Sequence, residues 1–303
     1  MQKLSVKVIE KMIEQQATSK EIDFILFSSR TQADSGLVKG VYYKDVVEAM
    51  QLSNQQFYNV KNSLAEKGII KAEKNNYYDH DITILDNSYV NVEDFKDNPY
   101  VNTNHDIFFT EEFRKMKAGA KLLALIIMRT THMSHANKYN AFKIGVKKFF
   151  DKYKEVLRVS KRVLRVYLTQ LRQFFAIGIK EGLYYITPLK RVYRSIGAKT
   201  ETSRLNEHEI AVICRRNKVK ITTEKDCQDT ATFIHQYRAE AEQKKADIVE
   251  VVAEAIKRSV DKAKEAVSSK RRELQPKLIH IWVRGLLDIK GKSQETTYAA
   301  VTE

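Results

Sequence analysis

Cysteine, proline and tryptophan are scarce in this chain of 303 residues, which contains two, three and one of them. Cys214 and Cys227 are too few for a disulfide framework and lack the CxxC spacing of a zinc site, so buried thiols are expected. The longest apolar run, 122–128, is much shorter than the roughly 20 residues that cross a bilayer, and residues 1–10 lack the apolar stretch of a signal peptide. A globular cytoplasmic protein without a membrane partner is predicted.

Acidic residues are also in deficit, because 53 Lys and Arg stand against 38 Asp and Glu and give a formal charge of +15. The excess is concentrated in residues 138–199, where 16 basic and three acidic residues leave a net +13. Residues 1–98 hold 12 basic and 15 acidic residues, a net −3. Charge of this kind bears on association, and it favours an acidic polymer, in particular nucleic acid, as the partner of residues 138–199.

Two amphipathic segments begin at a serine that can cap a helix, Ser53 and Ser160. Apolar residues follow each serine at offsets of four, seven and eleven, which is the spacing of one helix face. These inward positions are Phe57, Val60 and Leu64 in the first segment and Leu164, Tyr167 and Leu171 in the second. Helical segments precede each serine; for Ser160 they are 117–130 and 146–153. A predicted β-hairpin follows each serine-capped segment, at 69–85 after the first and at 177–187 after the second.

The recurrence predicts two tandem winged-helix domains, 1–92 and 99–197, joined by a linker at 94–104 that is rich in Asp and Asn. The third part, 199–303, has little Gly or Pro and is predicted to be a helical C-terminal domain. Within it, residues 249–267 have a short heptad spacing, which fits either an intramolecular helical hairpin or a self-association coiled coil. The predicted fold class is therefore mainly α with small β-hairpins, that is, α+β.

The exposed faces of the two serine-capped helices are the candidate binding residues. Arginine pairs with guanine edges or phosphates, and Asn and Gln pair with adenine edges. In the second helix these residues are Lys161, Arg162, Arg165, Thr169 and Arg172, and in the first they are Asn54, Gln55, Tyr58, Asn59 and Asn62. The predicted contacts to the phosphate backbone are Lys147, Lys148, Lys152, Arg191 and Arg194. Solvated helix faces that bind nothing are the alternative, and it is stronger for the uncharged first helix.

Motifs for enzymatic chemistry are weak. The stretch Gly119-Ala-Lys121 lacks the spaced glycines and the Lys-Ser/Thr ending of a phosphate-binding loop. His132 and His135 lie on a polar segment, and turn chemistry accounts for Asp79-His80-Asp81 as well as a cation site would. The chain is therefore expected not to be an enzyme and to need no metal or other cofactor.

In this architecture, residues 1–197 resemble plasmid or phage replication initiators of the iteron-binding type. The resemblance implies that the second domain docks its helix at 160–172 on repeated origin sites in double-stranded DNA. It implies that the first domain reads adjacent DNA or mediates contacts in a homodimer. The helical third domain lies outside the resemblance and is interpreted as a docking module for host replication proteins. A transcriptional regulator, a DNA segregation adaptor and a protein-interaction scaffold remain the alternatives.

Overall fold

The computed structural model describes residues 2–75, 79–91, 98–132, 141–189, 192, 201–266 and 272–299, with the side chains of 132, 201, 262–266 and 289–299 excepted. Helices make up 59% and strands 16% of the structure, and the strands form small antiparallel sheets. The predicted mainly helical α+β class is therefore confirmed. The chain divides into two compact units, 1–198 and 199–303.

In its described residues, the first half of the first unit contains four helices and a three-stranded sheet. Its elements are β1 (Lys3–Ser5), α1 (Val6–Glu14), α2 (Ser19–Ser28), β2 (Leu37–Val41), α3 (Tyr43–Met50), α4 (Asn54–Glu66), β3 (Ile70–Lys74) and β4 (His80–Ile84). The sheet has the order β2-β4-β3, and all its pairs are antiparallel. Gly68, at φ +63°, ends the turn after α4 in the left-handed conformation that favours glycine.

The second half of this unit repeats the order helix, strand, helix, helix, strand, strand. Its elements are β5 (Tyr100–Asn102), a 3-10 helix (Asp106–Phe109), α5 (Glu111–Arg114), α6 (Ala118–His132), β6 (Phe142–Gly145), α7 (Val146–Val156), α8 (Lys161–Leu171), β7 (Phe175–Lys180) and β8 (Leu183–Pro188). The sheet order β6-β8-β7 matches β2-β4-β3 position for position. Strands β2 and β6 were not predicted; each is fixed by its pairing with a distant strand, β4 or β8.

The two halves share one continuous hydrophobic core, which includes Leu4 near the start of the unit and Val192 near its end. The described part of the predicted linker, 98–104, takes part in this packing, since β5 pairs with β1 and the Val6 amide donates to the Pro99 carbonyl at 2.8 Å. Buried Asn87 holds the same corner: its amide oxygen accepts from the Ser5 amide at 2.7 Å and its amide nitrogen donates to the Lys3 carbonyl at 2.9 Å. Segment 98–104 is therefore held against β1 by strand pairing and hydrogen bonds.

A buried ion pair joins α2 to α6. The Lys121 ammonium is fully buried and lies 2.5 and 2.6 Å from the two carboxylate oxygens of Asp23. It also donates to the Arg114 carbonyl at 3.1 Å, and it lies 5.3 Å from the centre of the Phe113 ring. Burial raises the pKa of Asp23 to about 6 and lowers the pKa of Lys121, because each charge has lost its water.

The second unit is helical and has its own core. Its elements are α9 (Glu201–Arg216), α10 (Glu224–Gln236), α11 (Arg238–Gln243), α12 (Ile248–Ala266) and α13 (Pro276–Ala299). The long helical stretch expected at 226–274 is interrupted, with Lys245 in the left-handed region at φ 50°. The Asp247 carboxylate then accepts from the Val249 amide at 2.7 Å and caps α12.

The buried stripe of α12 coincides only in part with the predicted heptad positions. Ile256 and Val260 are buried, as predicted, whereas Val249 and Ala253 are half-buried, and the stripe also includes Ile248, Val251, Val252 and Ala255. This broader stripe packs in one core with Ile279 and Val283 of α13. The apolar face of α12 is therefore used for packing within the second unit.

The cysteines and the hydrophobicity of the helices can also be compared with the sequence predictions. Cys214 and Cys227 are free and buried, as predicted, and burial raises the pKa of Cys214 to about 12. Across the described ranges, no helix has the length and apolar character that crossing a membrane requires.

Candidate nucleic-acid interface

Helix α8 begins where the sequence predicts it. The Ser160 hydroxyl accepts from the Val163 amide at 3.3 Å, and Arg158 makes the preceding turn at φ 52°. The predicted inward residues Leu164, Tyr167 and Leu171 are buried, together with Leu168. Since this face is fixed in the core, the opposite face of α8 is held in a defined orientation at the surface.

The opposite face of α8 is exposed and mainly basic. It consists of Lys161, Arg162, Arg165, Val166, Thr169 and Arg172, and we call it the α8 face. The Thr169 hydroxyl donates to the Arg165 carbonyl at 3.0 Å, so its lone pairs remain as acceptors. All five residues predicted for this helix therefore lie on one face.

Contacts from α7 place a second set of lysines beside the α8 face. Asp151 of α7 pairs with Lys161 at 3.1 Å, and the Arg165 guanidinium lies 5.6 Å from the centre of the Phe150 ring. The predicted phosphate contacts Lys147, Lys148 and Lys152 are all exposed on α7. The ion pair is half-exposed at both ends, so it contributes little to stability and a phosphate can compete for Lys161.

The charge of this surface is one-sided. Residues 141–189 hold eleven Lys and Arg against three Asp and Glu. The hairpin β7–β8 turns at Gly182, at φ +71°, and exposes Lys180 and Ile179 beside the turn. The predicted contacts Arg191 and Arg194 lie outside the described residues. A one-sided excess of positive charge of this kind is typical of surfaces that attract polyanions.

Helix α4 presents a polar face without net charge. Ser53 and Gln56 form a capping box, and Phe57, Val60 and Leu64 are buried as predicted. The predicted outward residues Asn54, Gln55, Tyr58, Asn59 and Asn62 are all exposed. Gln55 donates to the Asn59 amide oxygen at 2.8 Å, and Tyr58 stacks on Tyr43 with 6.4 Å between ring centres. These contacts order the face in a way that suits hydrogen bonding more than charge attraction.

A lysine and a histidine meet beside α4, which the sequence did not indicate. The Lys61 ammonium lies 3.1 Å from Nε2 of His80, and burial lowers the pKa of both groups. The neighbouring Asp81 carboxylate accepts from the Gly40 amide at 2.7 Å. Among the described residues, no three His, Cys, Asp or Glu side chains are grouped as metal ligands. In the fold, Asp79 directly precedes β4, and His80 and Asp81 are its first two residues.

One residue of the α8 face was missed by the sequence reasoning. Val166 is 43% exposed between the basic residues, although the sequence analysis assigned it to neither face. Arg162 stands four residues before Val166 and Thr169 three residues after it, and this helical spacing was the signal that Val166 shares their face.

The second unit contains a cleft of about 460 Å³ between α9 and α10. Most of the residues that line it have polar side chains, among them Asn206, Glu207, Gln228, Thr232 and His235. The Ser203 hydroxyl donates to the Glu207 carboxylate at 2.9 Å across one turn of α9. No sequence motif pointed to this cleft.

Comparison with known proteins finds no match: no family model, no curated protein and no solved structure is significantly similar to this chain. The functional argument therefore depends on the geometry and charge of the surfaces described above.

The position of α8 depends on a close approach to α6. A Cβ atom added at Gly119 would lie 2.5 to 2.7 Å from the Tyr167 ring and hydroxyl, and Tyr167 is buried. We expect Gly119→Ala to lower the free energy of unfolding by about 1–3 kcal/mol, as other overpacked cores do. Denaturant unfolding measures this loss, and Gly178→Ala, whose Cβ meets nothing within 4 Å, is the control.

A second variant tests whether the Tyr167 contact is the cause. Combining Gly119→Ala with Tyr167→Leu removes the ring that the new methyl group meets. The double variant should then lose less stability than the sum of its two single variants. Strict additivity would show that Gly119 is needed for another reason.

Proposed function

We propose that this protein binds double-stranded DNA sequence-specifically and that each half of the first unit acts as a winged helix, with α8 as the principal reading helix. The observation that carries the proposal is the α8 face, an exposed basic surface on a helix whose opposite side is buried. Reading the major groove requires a helix of this kind, anchored behind and polar in front.

The two halves have different roles in this proposal. The α8 face and the lysines of α7 supply most of the affinity through phosphates and guanine edges. The α4 face adds base recognition through Asn and Gln, since the net charge of −3 in residues 1–98 gives it little attraction for the backbone. Contacts in a homodimer are the other role open to the first half.

Salt dependence of binding tests the proposal. If about six Lys and Arg each neutralise one phosphate, the logarithm of the association constant should fall with the logarithm of salt concentration with a slope near −5. Replacing Lys147 and Lys148 by alanine should weaken this slope by about two, because each lost phosphate contact accounts for about 0.9. Fluorescence anisotropy with a labelled duplex, titrated at several salt concentrations, measures both slopes.

The matched control replaces Lys225 and Lys257 by alanine, since both are exposed lysines of the second unit. This variant has the same loss of charge and should keep the full slope. Failure of the unmodified chain to retain duplex at low salt would favour the alternative of a protein-interaction scaffold.

Within DNA binding, we favour a replication initiator that acts on repeated origin sites, with host replication proteins docking on the second unit. The support is the duplicated reading unit, since two readers on one chain fit a long or repeated site. A transcriptional regulator or segregation adaptor would use the same faces. Autonomous replication of a plasmid that carries only the coding gene and its flanking DNA separates the initiator from both, and failure to replicate would leave the regulator as the better description.

A further inference from the structure

Val166 is the only apolar residue of the α8 face. Its side chain is 43% exposed, whereas the adjacent Leu164, Tyr167 and Leu168 are buried. Arg162 precedes it by four positions and Thr169 follows it by three, so the three side chains form one row along the helix. The apolar methyl groups thus lie between two groups that can hydrogen-bond to bases.

Helix stability gives no reason for an exposed valine at this position. A β-branched side chain loses rotamer freedom in a helix, and lysine, arginine or alanine would favour the helix more. The methyl groups gain free energy only if a partner covers them. Because the neighbouring residues are Arg162 and Arg165, that partner must combine negative charge with an apolar group.

We propose that Val166 is a specificity-determining residue that packs against the 5-methyl group of a thymine in the major groove. The inference rests on the proposed duplex-binding function and adds to it a base preference. Thymine is the base that presents a methyl group there, and the phosphates on either side supply the negative charge for Arg162 and Arg165.

The corresponding position of α4 has a different chemistry. Val166 stands six residues after Ser160, and Asn59 stands six residues after Ser53. Asparagine pairs with the N6 and N7 edge of adenine, whereas valine has no hydrogen-bonding group. The two helices are therefore expected to prefer different bases at this position, and Val166→Asn should move the preference of α8 from thymine toward adenine.

The test begins with a random duplex library selected by the full-length chain and, separately, by Val166→Ala. The unmodified chain should select a thymine at one position, and the variant should lose that preference while keeping the rest of the site. Deoxyuridine is then placed at that position of the selected duplex, which removes the methyl group and nothing else. Affinity of the unmodified chain should fall roughly fourfold, the effect of burying one methyl group.

The decisive comparison is between the two duplexes with the variant. Val166→Ala should bind the thymine duplex roughly fourfold more weakly than the unmodified chain does and should not distinguish thymine from deoxyuridine. Val90→Ala, which shortens a valine that is 63% exposed in the first half, should behave as the unmodified chain. Thermal unfolding should show Val166→Ala folded, because alanine favours helix.

Two results would overturn the inference. If the unmodified chain binds thymine and deoxyuridine duplexes equally, or if Val166→Ala still distinguishes them, Val166 does not contact the methyl group. Both results require that a site has been selected, so they leave DNA binding intact. Failure to retain any duplex from the library is a different result, which removes the proposed function and this inference with it.

Discussion

Reversing two charges, Arg162→Glu with Arg165→Glu, should abolish the retention of duplex DNA, with affinity lowered at least about a hundredfold. Each arginine that pairs with a guanine edge is worth about 1–3 kcal/mol of discrimination, and the new carboxylates add repulsion from the phosphates. Both residues are exposed, and Arg162 lies in the first turn of α8, where a glutamate is favourable to the helix. The loss should therefore occur without unfolding, and anisotropy together with circular dichroism measures the two effects separately.

The control for this variant changes the net charge by the same amount elsewhere. Lys225→Glu with Lys257→Glu lowers the net charge by four, as Arg162→Glu with Arg165→Glu does, but at exposed positions of the second unit. If long-range attraction by the net charge explained binding, both variants would lose affinity equally. Undiminished binding by the α8 variant would refute the assignment of α8 as the principal reader.

Replacing Lys121 by methionine should lower the free energy of unfolding of the first unit by about 3–5 kcal/mol, because the Asp23 carboxylate would remain buried without its partner. Replacing both residues, Lys121→Met with Asp23→Leu, should recover much of this loss, since no buried charge then remains. Trp282 is the sole tryptophan and lies in the second unit. A transition seen by far-ultraviolet circular dichroism but not by tryptophan fluorescence therefore reports the first unit.

An exposed ion pair supplies the matched control. Lys115 pairs with Glu111 at 2.6 Å on α5, but the side chains are 73% and 62% exposed. Lys115→Met should therefore change stability by less than about 1 kcal/mol. Equal losses in Lys121→Met and Lys115→Met would mean that the buried pair has no special role in joining the two halves.

The Asp23 pair also predicts a pH dependence with a definite sign. The folded-state pKa of Asp23 is raised to about 6, above the usual value of about 3.9 for an unfolded chain. The folded state therefore binds this proton more tightly, and the contribution of Asp23 to stability falls as pH rises from about 4 to about 6. Without the Lys121 charge the pKa rises further, so Lys121→Met should be most destabilised near pH 7 and least near pH 4. Asp23→Asn should remove this dependence.

Caps and periodic faces are local, and the sequence was sufficient to predict them. Ser53 and Ser160 cap α4 and α8, and Phe57, Val60, Leu164 and Tyr167 are buried at the predicted offsets. The exposed positions that follow from these faces were also correct for both helices. A cap depends on a side chain three residues from its partner, and a helix face depends on spacing alone, so neither needs distant contacts.

Some short strands and one helix break could not be predicted from local sequence patterns. Strands β2 and β6 exist because β4 and β8 lie beside them, and β5 exists because it pairs with β1 at the start of the unit. The break at Lys245 has no glycine or proline to mark it. Such features are stabilised by pairing and packing between distant residues, which a local pattern does not contain.

By itself the sequence determined the mainly helical class, the two serine-capped helices and the concentration of positive charge around the second of them. Only the tertiary structure decided that the two halves share one core and that the Lys121–Asp23 pair lies between α2 and α6. The physical reason is the range of the interactions. Helix capping, amphipathic spacing and net charge are properties of neighbouring residues, whereas burial and pairing depend on which distant segments the fold brings together.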